Sequence, residues 1–132
     1  MKKTLTAMAM ATTIIAGTAQ ADLTDPVTQA KVKDWFDQTV PFIKVAEACK
    51  MDNRFEYIEW VMDQAHMKAG SIDEIDRGLV NMWYQTGYLT APIDKSFRAV
   101  IKYAKNPDTR QHPKIVEACD HTSNKIQELI KG

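Results

Sequence analysis

Residues 25–49 read DPVTQAKVKDWFDQTVPFIKVAEAC, and they contain the first two predicted helical segments. Asp25 can cap a helix and Pro26 suits the first helical position, so a helix is predicted to begin here. Apolar side chains then recur at roughly helical spacing, at Val27, Ala30, Trp35 and Phe36. Pro41 predicts a break or a kink, because proline removes one helical hydrogen bond. Beyond it the apolar positions continue through Phe42, Val45, Ala46 and Cys49.

The next two segments repeat this helical pattern. Asp52 is predicted to cap a helix that ends at Gly70, with an apolar face formed by Phe55, Ile58, Val61, Met62 and Ala65. Residues 71–74, SIDE, match a capping box and predict the start of another helix, which ends at Gly87. Its inward positions are predicted to be Ile75, Leu79, Met82 and Trp83.

Prolines open the last two predicted helices. Pro92 precedes one with inward positions at Phe97, Val100, Ile101 and Ala104, and Pro113 begins the other, with Ile115, Cys119, Ile126 and Leu129 aligned. No segment shows the two-residue alternation of a strand. We therefore expect an all-α fold, a single-domain bundle of five to six short helices.

The first residues are typical of an export signal. Lys2 and Lys3 precede an apolar run at residues 5–17, and Ala19-Gln20-Ala21 has the small-x-small pattern of a cleavage site. We predict a secretory signal peptide at residues 1–21, a single helical domain at residues 22–132 and a periplasmic location. The alternative is an N-terminal membrane anchor, but the run is shorter than the roughly 20 residues that span a bilayer. No membrane insertion is expected after signal cleavage.

Two cysteines, Cys49 and Cys119, remain after that cleavage. An oxidising compartment favours a disulfide, and two thiols allow one intramolecular pairing. The loop so closed would contain about 70 residues, and the chain-entropy model gives such a crosslink roughly 4 kcal/mol. The alternatives are two free buried thiols or a bridge between chains. An intramolecular bridge would join the second and last helical segments.

Composition and charge exclude some classes of function. Seventeen Lys and Arg balance 17 Asp and Glu, so no cationic excess favours nucleic-acid binding. Charge is unevenly distributed: residues 22–76 carry 6 basic and 12 acidic side chains, and residues 77–132 carry 9 and 5. The halves could attract each other, present opposite patches to a partner, or simply be solvated.

Motifs of catalysis or metal binding are missing from the sequence. It has no Gly-rich phosphate loop, Cys-x-x-Cys, His-Glu-x-x-His or Gly-x-Ser-x-Gly, so we expect no enzyme activity, no catalytic residue and no cofactor. Cys119 beside His121 could form a nucleophile only if it were a free thiol. Met62, His66 and Met67 would suit copper, but Met at helical spacing usually fills a core, so no metal site is expected.

Aromatic residues near Gly87 give the candidate binding site. Trp83-Tyr84 precedes the predicted helix end, and Tyr88-Leu89 follows it in a predicted loop. Such residues are enriched at protein interfaces, so Tyr84, Tyr88 and Leu89 are candidate partner-binding residues. The alternative is that they cover the edge of the core.

Two stretches resemble a known family. Residues 55–65, FEYIEWVMDQA, resemble the Tyr-Ile-x-Gly-Val-x-Asp-Ala helix of the helical periplasmic immunity proteins against type VI secretion amidases, with Trp60 in place of Gly. The second stretch comprises VIKY at 100–103, NPD at 106–108, His112-Pro113, Val116 and Ala118. The resemblance implies a small helical protein, often a dimer, that plugs the active-site cleft of a cell-wall amidase. The cysteine placement departs from that family, and no inhibitory residue carries over.

A second resemblance leads to an alternative function. Residues 113–119, PKIVEAC, with the polar helix to Lys131, are similar to the second-cysteine helix of periplasmic acid-stress chaperones. The span between the cysteines is longer than in those proteins. We therefore expect an exported binding protein that neutralises a protein partner, an effector, with an acid-stress chaperone acting on client proteins as the alternative.

Overall fold

The computed structural model describes residues 25–71 and 73–132, and these form an all-α bundle. Its five helices are α1 (Pro26–Ala48), α2 (Arg54–Ala69), α3 (Glu74–Thr90), α4 (Lys95–Lys105) and α5 (Pro113–Lys131). The predicted fold class is confirmed, and no strand occurs within these residues. The predicted signal peptide at residues 1–21 lies outside them. Across the described part of the chain, no helix has both the length and the hydropathy of a membrane span.

Helix α1 is the centre of the bundle and contacts all four other helices. Its C-terminal part is buried on nearly every side, at Thr39, Val40, Pro41, Ile43, Val45, Ala46 and Ala48. The helix continues through Pro41, so the prediction of a break is wrong. Pro41 cannot donate a backbone hydrogen bond, but the burial of its neighbours holds the helical conformation.

The helix ends follow local side-chain chemistry, with some shifts from prediction. Asp25 caps α1 by accepting from the Val27 amide, and Pro113 is at the start of α5, as predicted. Gly70 ends α2 with a left-handed φ of 65°, also as predicted. Three predicted helix starts are wrong. The N-cap of α2 is Asn53 and not Asp52, and that of α3 is Asp73 and not Ser71. Helix α4 begins after its N-cap Asp94, and not at Pro92. Asp73 and Asp94 accept hydrogen bonds from backbone amides of their own first turns.

Several predicted inward residues face solvent. Phe55, Ile75 and Met82 are exposed, as is Val27. The Phe55 ring instead lies 4.5 Å from the Arg54 guanidinium carbon. The residues of α3 that pack inward include Leu79, Val80 and Trp83. Apolar residues lie on both faces of α3, so helical periodicity alone does not show which face packs inward. The predictions for Ile75 and Met82 are therefore wrong, while those for Leu79 and Trp83 are confirmed.

Aromatic side chains hold α2 against α1. The Trp35 indole Nε1 donates to the Val61 carbonyl oxygen at 2.9 Å, and the Trp35 and Trp60 ring centroids are 5.4 Å apart. Tyr57, fully buried, stacks on Trp60 with centroids 5.8 Å apart. Burial raises the pKa of the Tyr57 phenol well above its ordinary value. The α1–α2 pair is therefore the main body of the core.

A disulfide joins the end of α1 to α5. Cys49 caps α1, and its sulfur is bonded to that of Cys119 within α5, with the two Cα atoms 5.8 Å apart. Four residues further along each segment, the Asn53 side-chain amide donates to the Ser123 carbonyl oxygen at 3.3 Å. The predicted pairing is confirmed. It anchors α5 next to the turn between α1 and α2.

Removing this crosslink should destabilise the fold. Cys49→Ser combined with Cys119→Ser is expected to lower the free energy of unfolding by up to about 4 kcal/mol, because the unfolded chain regains the entropy of a 70-residue separation. Urea denaturation followed by circular dichroism measures the change. Reduced wild-type protein is the control and should match the double variant. An unchanged midpoint in both would contradict the assignment of the bridge as a major source of stability.

Candidate functional site

The candidate site lies on α3, which has only two neighbouring helices in the bundle. Helix α3 packs against α1 and α2 and makes no contact with α4 or α5. It continues past Gly87 to Thr90, so the loop predicted for Tyr88 and Leu89 is wrong. A Cβ atom built on Gly87 would lie 3.2 Å from the Phe36 Cβ. Glycine is used here for close approach to α1 and does not end the helix.

The structure brings the three predicted partner-binding residues together. The ring centroids of Tyr84 and Tyr88 are 6.2 Å apart, and both residues border a shallow depression with Gln85 and Leu89. Tyr84 also meets the buried Phe36 ring edge to face, with centroids 5.5 Å apart. Leu89 is 80% exposed. One side of this surface is therefore anchored in the core, and the other faces solvent.

Two residues of α1 fix the Tyr88 side chain. Its hydroxyl donates to Glu47 Oε1 at 2.5 Å, and the Lys44 ammonium lies 4.6 Å from the ring centroid. The hydrogen bond to the carboxylate, with burial and the Glu47 charge, raises the pKa of Tyr88 to about 12. Burial, with the Glu47 charge, also raises the pKa of Tyr84. Sequence reasoning missed Lys44 and Glu47, because only the packing of α3 on α1 brings them here.

A groove lies on the opposite side of Gly87, between α1 and α3. Its volume is about 210 Å³, and Phe36 and Trp83 give it an apolar wall. Lys33 and Asp37 form an ion pair at its rim, with the Nζ and Oδ2 atoms 2.7 Å apart. The remaining lining residues are Gln29, Thr86, Gly87 and Thr90. Groove and tyrosine pair lie on either side of the same turn of α3.

The other chemical candidates do not converge into a site. The Cys119 sulfur is in the disulfide, so the nucleophile alternative is wrong. His121 is exposed, while the Ser123 hydroxyl lies 3.4 Å from the Asn53 side-chain amide. Met62 packs on the core and Met67 is exposed. Within residues 25–71 and 73–132, no three His, Cys, Asp or Glu side chains lie together as metal ligands would.

His66 belongs to the packing between α2 and its own C-terminal turn. Its Nδ1 atom lies 3.3 Å from the Ser71 hydroxyl. Burial, helped by the nearby Arg77 charge, lowers the pKa of His66 below its ordinary value. The neutral imidazole is thus the form that the folded chain favours.

Comparisons with known proteins give no match for this chain. No family model matches it, no curated protein matches it, and no solved structure matches it. The interpretation of the α3 surface therefore rests on its geometry. Two packed aromatic rings, one with its hydroxyl hydrogen-bonded, next to an exposed Leu are suited to binding a protein surface.

The contact between Tyr88 and Glu47 can be tested by titration. Glu47→Gln should lower the pKa of Tyr88 from about 12 toward the ordinary value of 10, because a neutral amide no longer favours the protonated phenol. Carbon-13 NMR of the tyrosine Cζ atoms follows the ionisation residue by residue. Glu59→Gln, an exposed change on α2, is the control. Identical Tyr88 titrations in wild type and Glu47→Gln would contradict the contact.

Proposed function

We propose that this chain is an exported binding protein that neutralises a protein partner through the outer surface of α3. In its most concrete form, it is an immunity protein against a cell-wall amidase effector. The observation that carries this proposal is the continuous surface of Tyr84, Tyr88 and Leu89, whose outer side the other described helices leave uncovered. The matching stretches of sequence supply the identity of the partner as an expectation.

An exposed apolar row extends this surface along α3. Ile75, Met82 and Leu89 follow one another at seven-residue intervals and are 76%, 62% and 80% exposed. Between the first two lies Gly78, where an added Cβ would meet no atom within 4 Å. Side chains seven residues apart lie on one helix face, and a partner helix packs against such a row. The row supports docking of a partner along the length of α3.

The tyrosine pair adds a preorganised contact at the end of this row. Tyr88 is held by Glu47 and Lys44, and Tyr84 by Phe36. Side chains already fixed in the free protein lose little conformational entropy on binding. Their phenol rings would therefore contribute more binding free energy than mobile side chains of equal area.

The resemblance to immunity proteins bears on packing more than on the contact surface. Within residues 55–65, Tyr57, Val61 and Ala65 are fully buried in α2. The second stretch covers the end of α4, the following loop and the start of α5. Both stretches lie outside α3, which is consistent with a shared helical scaffold and a partner-binding helix of this chain's own.

Charge substitution at Leu89 tests the proposed contact surface. Leu89→Glu should weaken binding of an amidase effector encoded beside this chain by at least about 30-fold, the loss of a hot-spot residue. Met67→Glu is the matched control, because Met67 is 72% exposed but lies on α2. Isothermal titration calorimetry gives the dissociation constants, and survival of effector-producing cells gives the protection.

Three results would count against the proposal. Wild-type protein that neither binds nor protects against any neighbouring effector removes the immunity role. Equal loss of affinity in Leu89→Glu and Met67→Glu removes α3 as the specific surface. Unchanged affinity in Leu89→Glu does the same.

The alternative is an acid-stress chaperone, and one observation favours it. Exposed apolar side chains lie on both α2 and α3, at Phe55, Met67, Ile75, Met82 and Leu89. Unfolded clients bind such dispersed apolar contacts, and protonation of the carboxylates at low pH would leave the chain strongly cationic.

Light scattering of a denaturing client at about pH 2.5 distinguishes the two functions. An immunity protein should leave client aggregation unchanged at equimolar concentration. A chaperone should suppress it, and the Leu89→Glu and Met67→Glu changes should then weaken suppression to a similar extent.

A further inference from the structure

Two charged surfaces of matching spacing lie on different helices. On α2, Glu56, Glu59 and Asp63 recur at intervals of three and four residues and form an acidic ridge. On α4, a basic ridge with the same first intervals comprises Lys95, Arg98, Lys102 and Lys105. All seven side chains are exposed. The acidic ridge is about two helical turns long and the basic ridge about three, and each runs along one helix face.

The ridges do not neutralise each other within one chain. Helices α2 and α4 make no contact with each other. Of the residues that the structure describes, only Lys33 and Asp37 form an ion pair within 4.0 Å. The uneven charge of the two halves of the sequence is therefore presented outward as two separate surfaces.

The packing of α4 fixes the direction of its basic ridge. The inward face of α4 packs against the core through Phe97, Val100 and Ile101, and Ala104 is buried. The ring centroids of Phe97 and Phe42 are 5.1 Å apart. With this face held inward, the lysines and the arginine on the opposite side face solvent. The only acidic residue at this helix, Asp94, is used as its N-cap. Apart from Asp94, whose charge acts on Arg98 in the first turn, the ridge has no opposing charge on its own element.

Apolar side chains border both ridges. Phe55 and Met67 flank the acidic ridge and are 68% and 72% exposed. Tyr103 lies beside the basic ridge, with the Lys102 ammonium 5.6 Å from its ring centroid. An interface formed by the ridges would therefore cover apolar area as well as pair charges.

We propose that the chain self-associates, with the acidic ridge of one copy docked on the basic ridge of another. Every copy carries both ridges. In each ridge the first three charges follow the spacing i, i+3, i+7, so three carboxylates of one copy can lie opposite three basic groups of another. Exposed ion pairs contribute little individually, so the association is weak and depends on salt. It uses neither Leu89 nor the tyrosine pair, and is independent of partner binding through α3.

Charge reversal tests the interface. The acid-reversed variant carries E56K, E59K and D63K, and the base-reversed variant carries K95E, R98E and K102E. Sedimentation equilibrium at low ionic strength should show that wild-type mass rises with concentration and that each reversed variant stays monomeric. The combined variant, with all six changes, restores complementarity at the wild-type net charge and should associate again. Wild type should become monomeric at about 1 M salt, where the Debye length is about 3 Å.

Helix α5 supplies controls with the same changes in net charge. E117K, D120K and E128K match the acid-reversed variant, and K114E, K125E and K131E match the base-reversed variant, all at exposed positions. Both controls should associate like wild type. Far-ultraviolet circular dichroism checks that each variant is helical, and the combined variant decides the outcome if a single reversal unfolds.

The proposal is overturned by any of three results. They are a wild-type protein that is monomeric at every concentration in low salt, α5 controls that lose association as the ridge variants do, and a folded six-fold variant that stays monomeric.

Discussion

The bond between Cys49 and Cys119 is the constraint on which the rest of the structure depends. It joins the end of the central helix to the last helix, in a chain too small to bury a large core. The hydrogen bond from Asn53 to Ser123 supports the same junction one helical turn further on. With the end of α1 held against α5 at this junction, most of the last ten residues of α1 are buried.

This arrangement leaves α3 on the outside, and its exposure accounts for the candidate site. Because α1 is already covered by α2, α4 and α5, α3 has only α1 and α2 to pack on. Its inward face meets Phe36 through Gly87, and its outward face carries an apolar row that is exposed within the described residues. The acidic ridge lies on α2 and the basic ridge on α4, so neither shares a helix with this apolar row. The fold thus keeps an apolar surface and two charged surfaces separate.

Much of the fold could be predicted from local chemistry. Asp25, Gly70 and Pro113 each act at a helix end through their own backbone or side chain, so the sequence was sufficient for them. The disulfide could be predicted as well, because two cysteines allow one pairing within the chain. The pattern of helical periodicity was likewise enough for the all-α class.

The errors came from contacts between distant parts of the chain. The sequence predicts a helix end at Gly87, but the missing side chain of this glycine makes room for Phe36, which lies 51 residues earlier. Pro41 remains helical because the segment around it is buried in the core. Ile75 and Met82 fit a helical period as well as Leu79 does, and only the position of α3 decides which set faces inward. Lys44 and Glu47 join the site for the same reason.

Hydrogen exchange measured by mass spectrometry, with and without a reductant, tests whether the disulfide holds α5 against the buried central helix. If the crosslink holds α5 to a buried central helix, amides of residues 39–48 exchange slowest, and reduction accelerates exchange throughout α5. Fast exchange in residues 39–48, or protection of α5 that reduction leaves unchanged, would contradict this account.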